Sequence, residues 1–350
     1  MTKNIWINSL GALLDPNDES IKFVGTGTVP PVMSQRIIDD IRAANVSAVN
    51  ITVGHVFGEL ESYEVTMREI KEWDKIVREH SSDFIKVHVA ADIVKASCES
   101  KIGVIFGFQN STMFGDDESR VDEFASLGVK VMQLTYNDMN KLGGGSLSDA
   151  TIGLTEFGRA TVAAMNRSRT IVDLSHSNVM TCVDAVKAST QPVAITHTGC
   201  RAVVDVPRNK SDAELRLVAE NGGYVGIYLM PFLASGRSAT GDDVIAHIEH
   251  ALDVCGADHV GVGTDTSFTP VDDIESFKET WAELITSRRE KGISAPGESP
   301  DIFPFVVDML GTEQMRLIAH RLAKRGHSDD VIDKVMGLNF LRFSHEVWGQ

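Results

Sequence analysis

Eight short apolar runs recur along the chain: IWIN (5–8), SAVNITV (47–53), GVIFGFQ (103–109), VKVMQLTY (129–136), TIVDLSH (170–176), PVAITH (192–197), YVGIYL (224–229) and HVGVGTD (259–265). Each is continuously apolar rather than alternating, the pattern of a strand buried on both faces. Between them lie segments of helical periodicity, such as VDEFASLG before the fourth run and EFGRATVAAMNRS before the fifth. In DDVIAHIEHALDVCG, before the eighth run, Val244, Ile245, Ile248, Ala251 and Leu252 fall on one face, as a sheet-covering helix requires. Eight alternating units predict an α/β fold, the (β/α)8 TIM barrel, spanning residues 1–350 as a single domain. MRLIAHRLAKRG and SDDVIDKVMGLNFLRFSHEVW read as C-terminal helices that close it. A doubly wound open sheet is the competing architecture, but no GxGxxG follows the first run. A ninth run, FIKVHVA (84–90), is interrupted by Lys86 and His88 and reads as an accessory strand or loop. EKGISAPGESPDIFP (290–304) reads as a surface loop.

Three of the runs end on groups that a buried strand has no reason to carry: His176, His197 and Asp265. In a barrel the C-terminal strand ends form the open face where ligands are handled. Neighbouring strands lie about 4.8 Å apart, so His176 and His197 would face one mouth at a spacing suited to sharing a metal ion. Asp265 could serve as a further ligand or as a proton acceptor. A lone histidine at a strand end is more often a satisfied hydrogen-bonding residue; three such groups on three strands favour a site. His55, after the second run, could line the same mouth, with no role assigned. His247, His250, His320 and His327 read as surface-solvated.

Composition narrows the partner. With 49 acidic against 33 basic residues and a net charge of −16, the chain would repel nucleic acid and anionic lipid, which leaves a small-molecule substrate. The opening MTKNIWINSLGALLD has no apolar core of signal-peptide length, and no stretch approaches the roughly 18 apolar residues of a membrane span, so the expected location is the cytoplasm. The four cysteines, at 98, 182, 200 and 255, form no CxxC pair and read as reduced single thiols, Cys200 being a bystander near the site.

The stretches GLTEFGRATVAAMNRSRTIVDLSHSN (153–178), PVAITHTG (192–199), PRNKSDAEL (207–215), VGVGTD (260–265) and GLNFLRF (337–343) resemble the membrane (renal-type) dipeptidase family of metallopeptidases in its bacterial branch. In order and spacing the likeness runs from residue 103 to the C-terminus. It implies a (β/α)8 barrel, His176 and His197 as ligands of one zinc, Asp265 as the aspartate that contacts metal and handles protons, and Arg208 as the clamp for a substrate carboxylate. It also allows a homodimer. Four positions, at three strand ends, depart from the family pattern. Leu10 and Ala12 stand where an HxD pair is usual, Gln109 replaces the glutamate that bridges two zincs, and Tyr136 replaces the transition-state histidine. A neutral amide is a poor bridge between two cations, so the expectation is a mononuclear centre of His176, His197, Asp265 and Gln109 holding one divalent metal, zinc ahead of iron or manganese. Tyr136 keeps a donor for an oxyanion, and Asn137 beside it is a candidate substrate contact. The expected activity is dipeptidase-like hydrolysis of a small amide or dipeptide with a free carboxylate. The alternatives are a mononuclear metal-dependent lyase or deaminase on a small polar carboxylate, and a binding protein without catalysis.

Overall fold

The computed structural model describes residues 5–18, 32–58, 61–290 and 296–349. Nine strands occur among these: β1 Ile7–Gly11, β2 Ala48–Thr52, β3 Phe84–Lys86, β4 Ile102–Phe108, β5 Val129–Gln133, β6 Ile171–Asp173, β7 Ala194–Thr198, β8 Tyr224–Ile227 and β9 Val260–Val262. Eight run parallel in the order β1-β2-β4-β5-β6-β7-β8-β9, and β3 pairs only with β4, outside the ring. The expected barrel and its accessory ninth run are both present. All seven residues of β4 are buried, which is why the sequence shows a continuous apolar run and no alternation.

The ring closes between its first and last strands through a seam in which a side chain takes part. Asn8 accepts from the Thr264 N–H at 2.9 Å and donates to Thr264 Oγ1 at 2.8 Å. One step further up, the Asp265 N–H donates to the Leu10 carbonyl at 2.8 Å and the Ala12 N–H to the Thr266 carbonyl at 3.0 Å. Inside the barrel Ser9 donates to the carbonyls of Thr196 and Val262, and Tyr224 donates to Ser9, so these buried polar groups are satisfied.

Two cores result. The larger fills the space between the strands and the helical ring. The smaller plugs the barrel's lower end, where Ile7, Ala48, Val131, Ile171, Ala194 and Tyr224 meet Phe340, Phe343, Val347 and Trp348 of the last helix, Asn339–Trp348. The closing role expected of the C-terminal segment is therefore an insertion under the barrel floor. Asn339 ties that helix to the ring by donating to the carbonyls of Ala257 and Val260 at 2.7 and 2.8 Å.

At the upper end the helix Ile274–Glu290 and the irregular stretch from residue 296 to Gly311 contribute to the wall of the mouth. The surface-loop reading of 290–304 holds only in part where it is described: 296–302 are irregular and exposed or half-buried, but Phe303 is buried, and Pro296, Glu298 and Pro304 line the cavity. Residues 291–295 lie outside the described residues. Among the described residues no helix is long and apolar enough to cross a membrane.

Candidate active site

The two strand-end imidazoles meet. His176, just past β6, and His197, in β7, place their Nε2 atoms 3.1 Å apart, both side chains buried. Each ring is held from behind through Nδ1. His176 Nδ1 lies 2.7 Å from Asn137 Oδ1, an oxygen that also accepts from Ser146 Oγ at 3.0 Å. His197 Nδ1 lies 2.9 Å from Thr196 Oγ1, whose hydroxyl is committed to Asp173 Oδ2 at 2.6 Å. Both Nδ1 atoms therefore carry the proton, and both Nε2 lone pairs point at each other. Burial first, and then the nearby Arg208, holds both rings well below the usual imidazole range, so both stay neutral.

Two neutral nitrogens facing each other with no proton between them repel, unless a cation lies at their meeting point. Imidazole nitrogens about 2.0–2.1 Å from a tetrahedral zinc lie about 3.3 Å apart, close to the separation seen. The pair thus fits one divalent ion, with Asn137 and the Thr196–Asp173 relay as the outer partners that orient metal-binding histidines. Among the described residues no three His, Cys, Asp or Glu side chains are grouped to hold an ion. Of the expected set of His176, His197, Asp265 and Gln109, the first three are not grouped around one point in this geometry, and an ion here would complete its shell with neutral oxygens, water or ligand.

The remaining candidates line one cavity of about 380 Å³ together with His176. Asp265 follows β9 with φ of 56°, a left-handed conformation that Asp tolerates better than most residues. Burial pushes its carboxyl up to about 7, against the opposing pull of Arg208. Tyr136 stacks on His176 with ring centres 4.3 Å apart, and Phe57 stacks on its other side at 5.7 Å. Burial, with Asp265 nearby, pushes the phenol up to about 12, so it remains a proton-bearing donor. Gln109 anchors its amide nitrogen on Thr52 Oγ1 at 2.7 Å. Arg208 donates to the Ser175 carbonyl at 2.7 Å and the His197 carbonyl at 3.2 Å, with its guanidinium 5.3 Å above the Tyr228 ring. Two of its five N–H donors are thus engaged, leaving others for an anion in the cavity.

Several assignments change. Asn137 reaches the cavity, but its oxygen is taken up in orienting His176. His247 is fully buried, accepting from the Cys200 N–H at 2.8 Å and lying 3.2 Å from the Leu233 carbonyl, so its surface reading is wrong. His250 and His327 pair with Asp212 and Glu249, and His320 alone is plainly exposed. His55 packs behind the wall, 3.3 Å from Thr112 Oγ1, while Phe57 two residues on reaches the cavity. Cys200 is a buried thiol pushed up by desolvation, consistent with a bystander. Asp173 was not anticipated, although a carboxylate inside the apolar run TIVDLSH was a signal for it. Gly145 has a similar hidden role. A Cβ there would lie 2.1 Å from the Tyr136 carbonyl and 2.5 Å from that of Asn137, so only glycine lets this loop close on the site.

Fold and site together define a (β/α)8 barrel protein with an imidazole pair at the mouth of a small-molecule cavity. The family model for membrane dipeptidase (peptidase family M19) matches residues 34–296, and the chain belongs to that family. Dipeptidase tcpJ of Claviceps purpurea is 28% identical over 286 residues, covering 81% of this chain and 60% of the relative, so the chain spans about three fifths of that protein's length. An amidohydrolase from Pseudomonas aeruginosa superimposes with a TM-score of 0.81 at 30% identity, covering 100% of this chain and 98% of the other. A metallopeptidase from Rhodobacter sphaeroides, solved with a phosphinate mimic of the dipeptide L-Ala-D-Ala, shares the fold at TM-score 0.74 and 17% identity, covering 98% and 100%.

Proposed function

We propose that the chain is a metal-dependent hydrolase that cleaves the amide bond of a small amino-acid derivative bearing a free carboxylate. The observation that carries this reading is the convergence of the two Nε2 lone pairs, 3.1 Å apart, beside a cavity that also presents Arg208, Tyr136 and Asp265. The dipeptidase relatives and the dipeptide mimic bound by the Rhodobacter sphaeroides protein support the choice of bond. His176 and His197 would hold one divalent ion, zinc by the chemistry of the donors; when bound, it supplies a Lewis acid for the carbonyl and lowers the pKa of water.

The chain's own groups divide the rest. Arg208 binds the carboxylate and so fixes the amide relative to the imidazoles. Asp265, poised near neutrality, accepts a proton from the attacking water and returns it to the leaving nitrogen. Tyr136, kept protonated, donates to the oxygen on which charge develops. The buried wall restricts water to the reacting position.

The test is a dipeptide panel with purified protein, titrated with zinc and compared with His176→Ala, with metal content measured alongside. Zinc-dependent release of free amino acids, lost in the variant together with about one equivalent of metal, is the expected result. Retained turnover in a metal-free His176→Ala protein would overturn it.

A further inference from the structure

The cavity's chemistry is lopsided. One side carries His176, Asn137 and Arg208, whereas the end of β1 contributes Ala12, Leu14 and Pro16 and the roof contributes Phe232, Trp281, Leu284, Phe305 and Met309. Among its lining residues the formal charges are Arg208, Arg288, Asp265 and Glu298. Glu298 lies 3.4 Å from Arg288, both largely buried, and the field of Arg208 acts on Asp265. Glu298 thus already faces a guanidinium, and Asp265 is the proton carrier of the reaction above, a duty that a bound ammonium would block. Among the described residues, an ammonium ion brought into this space finds no carboxylate beyond those two, and at the end of β1, where one could have received it, it meets the methyl of Ala12 and buried Leu10. Desolvating such an ion without a partner is strongly unfavourable, whereas an amide nitrogen carries no charge to strip of water.

We infer that the substrate of this site is an amino acid acylated on its nitrogen by an apolar group, with its carboxylate at Arg208 and its acyl chain against Leu14, Trp281, Leu284 and Phe305, and not a dipeptide with a free amine. The inference rests on the hydrolase reading above and names its substrate class. Hydrolysis of such a compound breaks the amide C–N bond and forms a C–O bond to the oxygen of water. One water proton ends on the nitrogen, the products being a free amino acid and an apolar carboxylic acid.

A matched ligand pair isolates the point. Leucyl-phenylalanine and 4-methylpentanoyl-phenylalanine, in both configurations at phenylalanine, differ only in the ammonium group. Binding to the zinc-loaded protein is read by calorimetry and by tryptophan fluorescence, and cleavage by phenylalanine release. The acyl compound is expected to bind at least tenfold more tightly and to be cleaved with the higher kcat/KM. Equal or tighter binding of leucyl-phenylalanine overturns the inference, as does failure of the acyl compound to bind. An acyl compound that binds tenfold more tightly but is not cleaved upholds the ligand class and sinks the hydrolase reading instead. Ala12→Asp, which supplies a carboxylate at the end of β1, should shift the preference towards the free amine by about tenfold; an unchanged ratio in a folded variant counts against the inference. The wild-type pair carries the test even if that variant does not fold.

Discussion

The two ends of the barrel are closed in opposite ways. At the lower end, apolar strand residues and the rings of Phe340, Phe343 and Trp348 meet as an area of buried carbon. At the upper end, groups that would rather be in water are held by directed bonds: Asp173 to Thr196 to His197, Asn137 to His176, and Arg208 to two backbone carbonyls. An area contact is non-directional, and its energy follows how much surface is covered. A relay of hydrogen bonds has a required geometry at each link, and a link that is removed strands its neighbour. Changes below should therefore register as stability, and changes above as binding and chemistry.

The largest effect should come from the plug. Phe343 is fully buried, and Phe343→Ala is expected to lower unfolding free energy by about 3–5 kcal/mol while leaving the activity of each folded molecule unchanged. Denaturant unfolding combined with active-site titration measures both; a selective loss of activity would break the division between the ends. Next comes acid. Burial first of all brings His247 down to about 4, below the imidazole's ordinary 6.5 in the unfolded chain. The unfolded state therefore binds the proton first as pH falls. The stability that neutral His247 contributes is complete above pH 6.5 and is lost on descending towards 4, by about 3 kcal/mol at about 1.4 kcal/mol per unit. His247→Gln should flatten that limb of a stability-versus-pH curve, and an unchanged slope would show that other groups set it.

His197→Ala should weaken zinc affinity on the order of a hundredfold with little change in melting temperature, as read by competition with a chromophoric chelator. The smallest effect tests the relay alone. Thr196→Val keeps the shape but removes the oxygen that holds His197 Nδ1, and zinc affinity should fall about tenfold, at the lower end of what such outer partners contribute. A loss as large as that of His197→Ala would mean that the ring has left its place altogether.

The same contrast decides what the sequence made legible. Continuous apolar runs and helical spacing predicted the eight strands of the ring and the accessory β3, because burial on both faces leaves a local record. His176, His197 and Asp265 stood out as polar residues ending apolar runs. What stayed hidden was whatever depends on a partner far along the chain. Asn137 orients His176 from 39 positions away, and the N–H of Cys200 and the carbonyl of Leu233 reach His247 only through the fold. His247 lies at the helical spacing of a covering helix, yet a histidine there reads as solvated until its two partners are known. The roof was equally illegible: Trp281, Leu284 and Phe305 come from segments with no strand pattern, and their apolar character alone does not say which cavity they cover.

The seam that closes the ring joins residues 256 positions apart, Asn8 and Thr264. No other strand pairing in the ring spans such a length of chain, and the entropy lost in closing a loop grows with its length. The first strand must therefore wait, exposed along one edge, until the eighth member of the ring has been built. In kinetic terms the barrel behaves as an open sheet for much of its assembly, and the side chain of Asn8, which supplies bonds that a further strand would otherwise make, acts as the latch that ends this vulnerable interval.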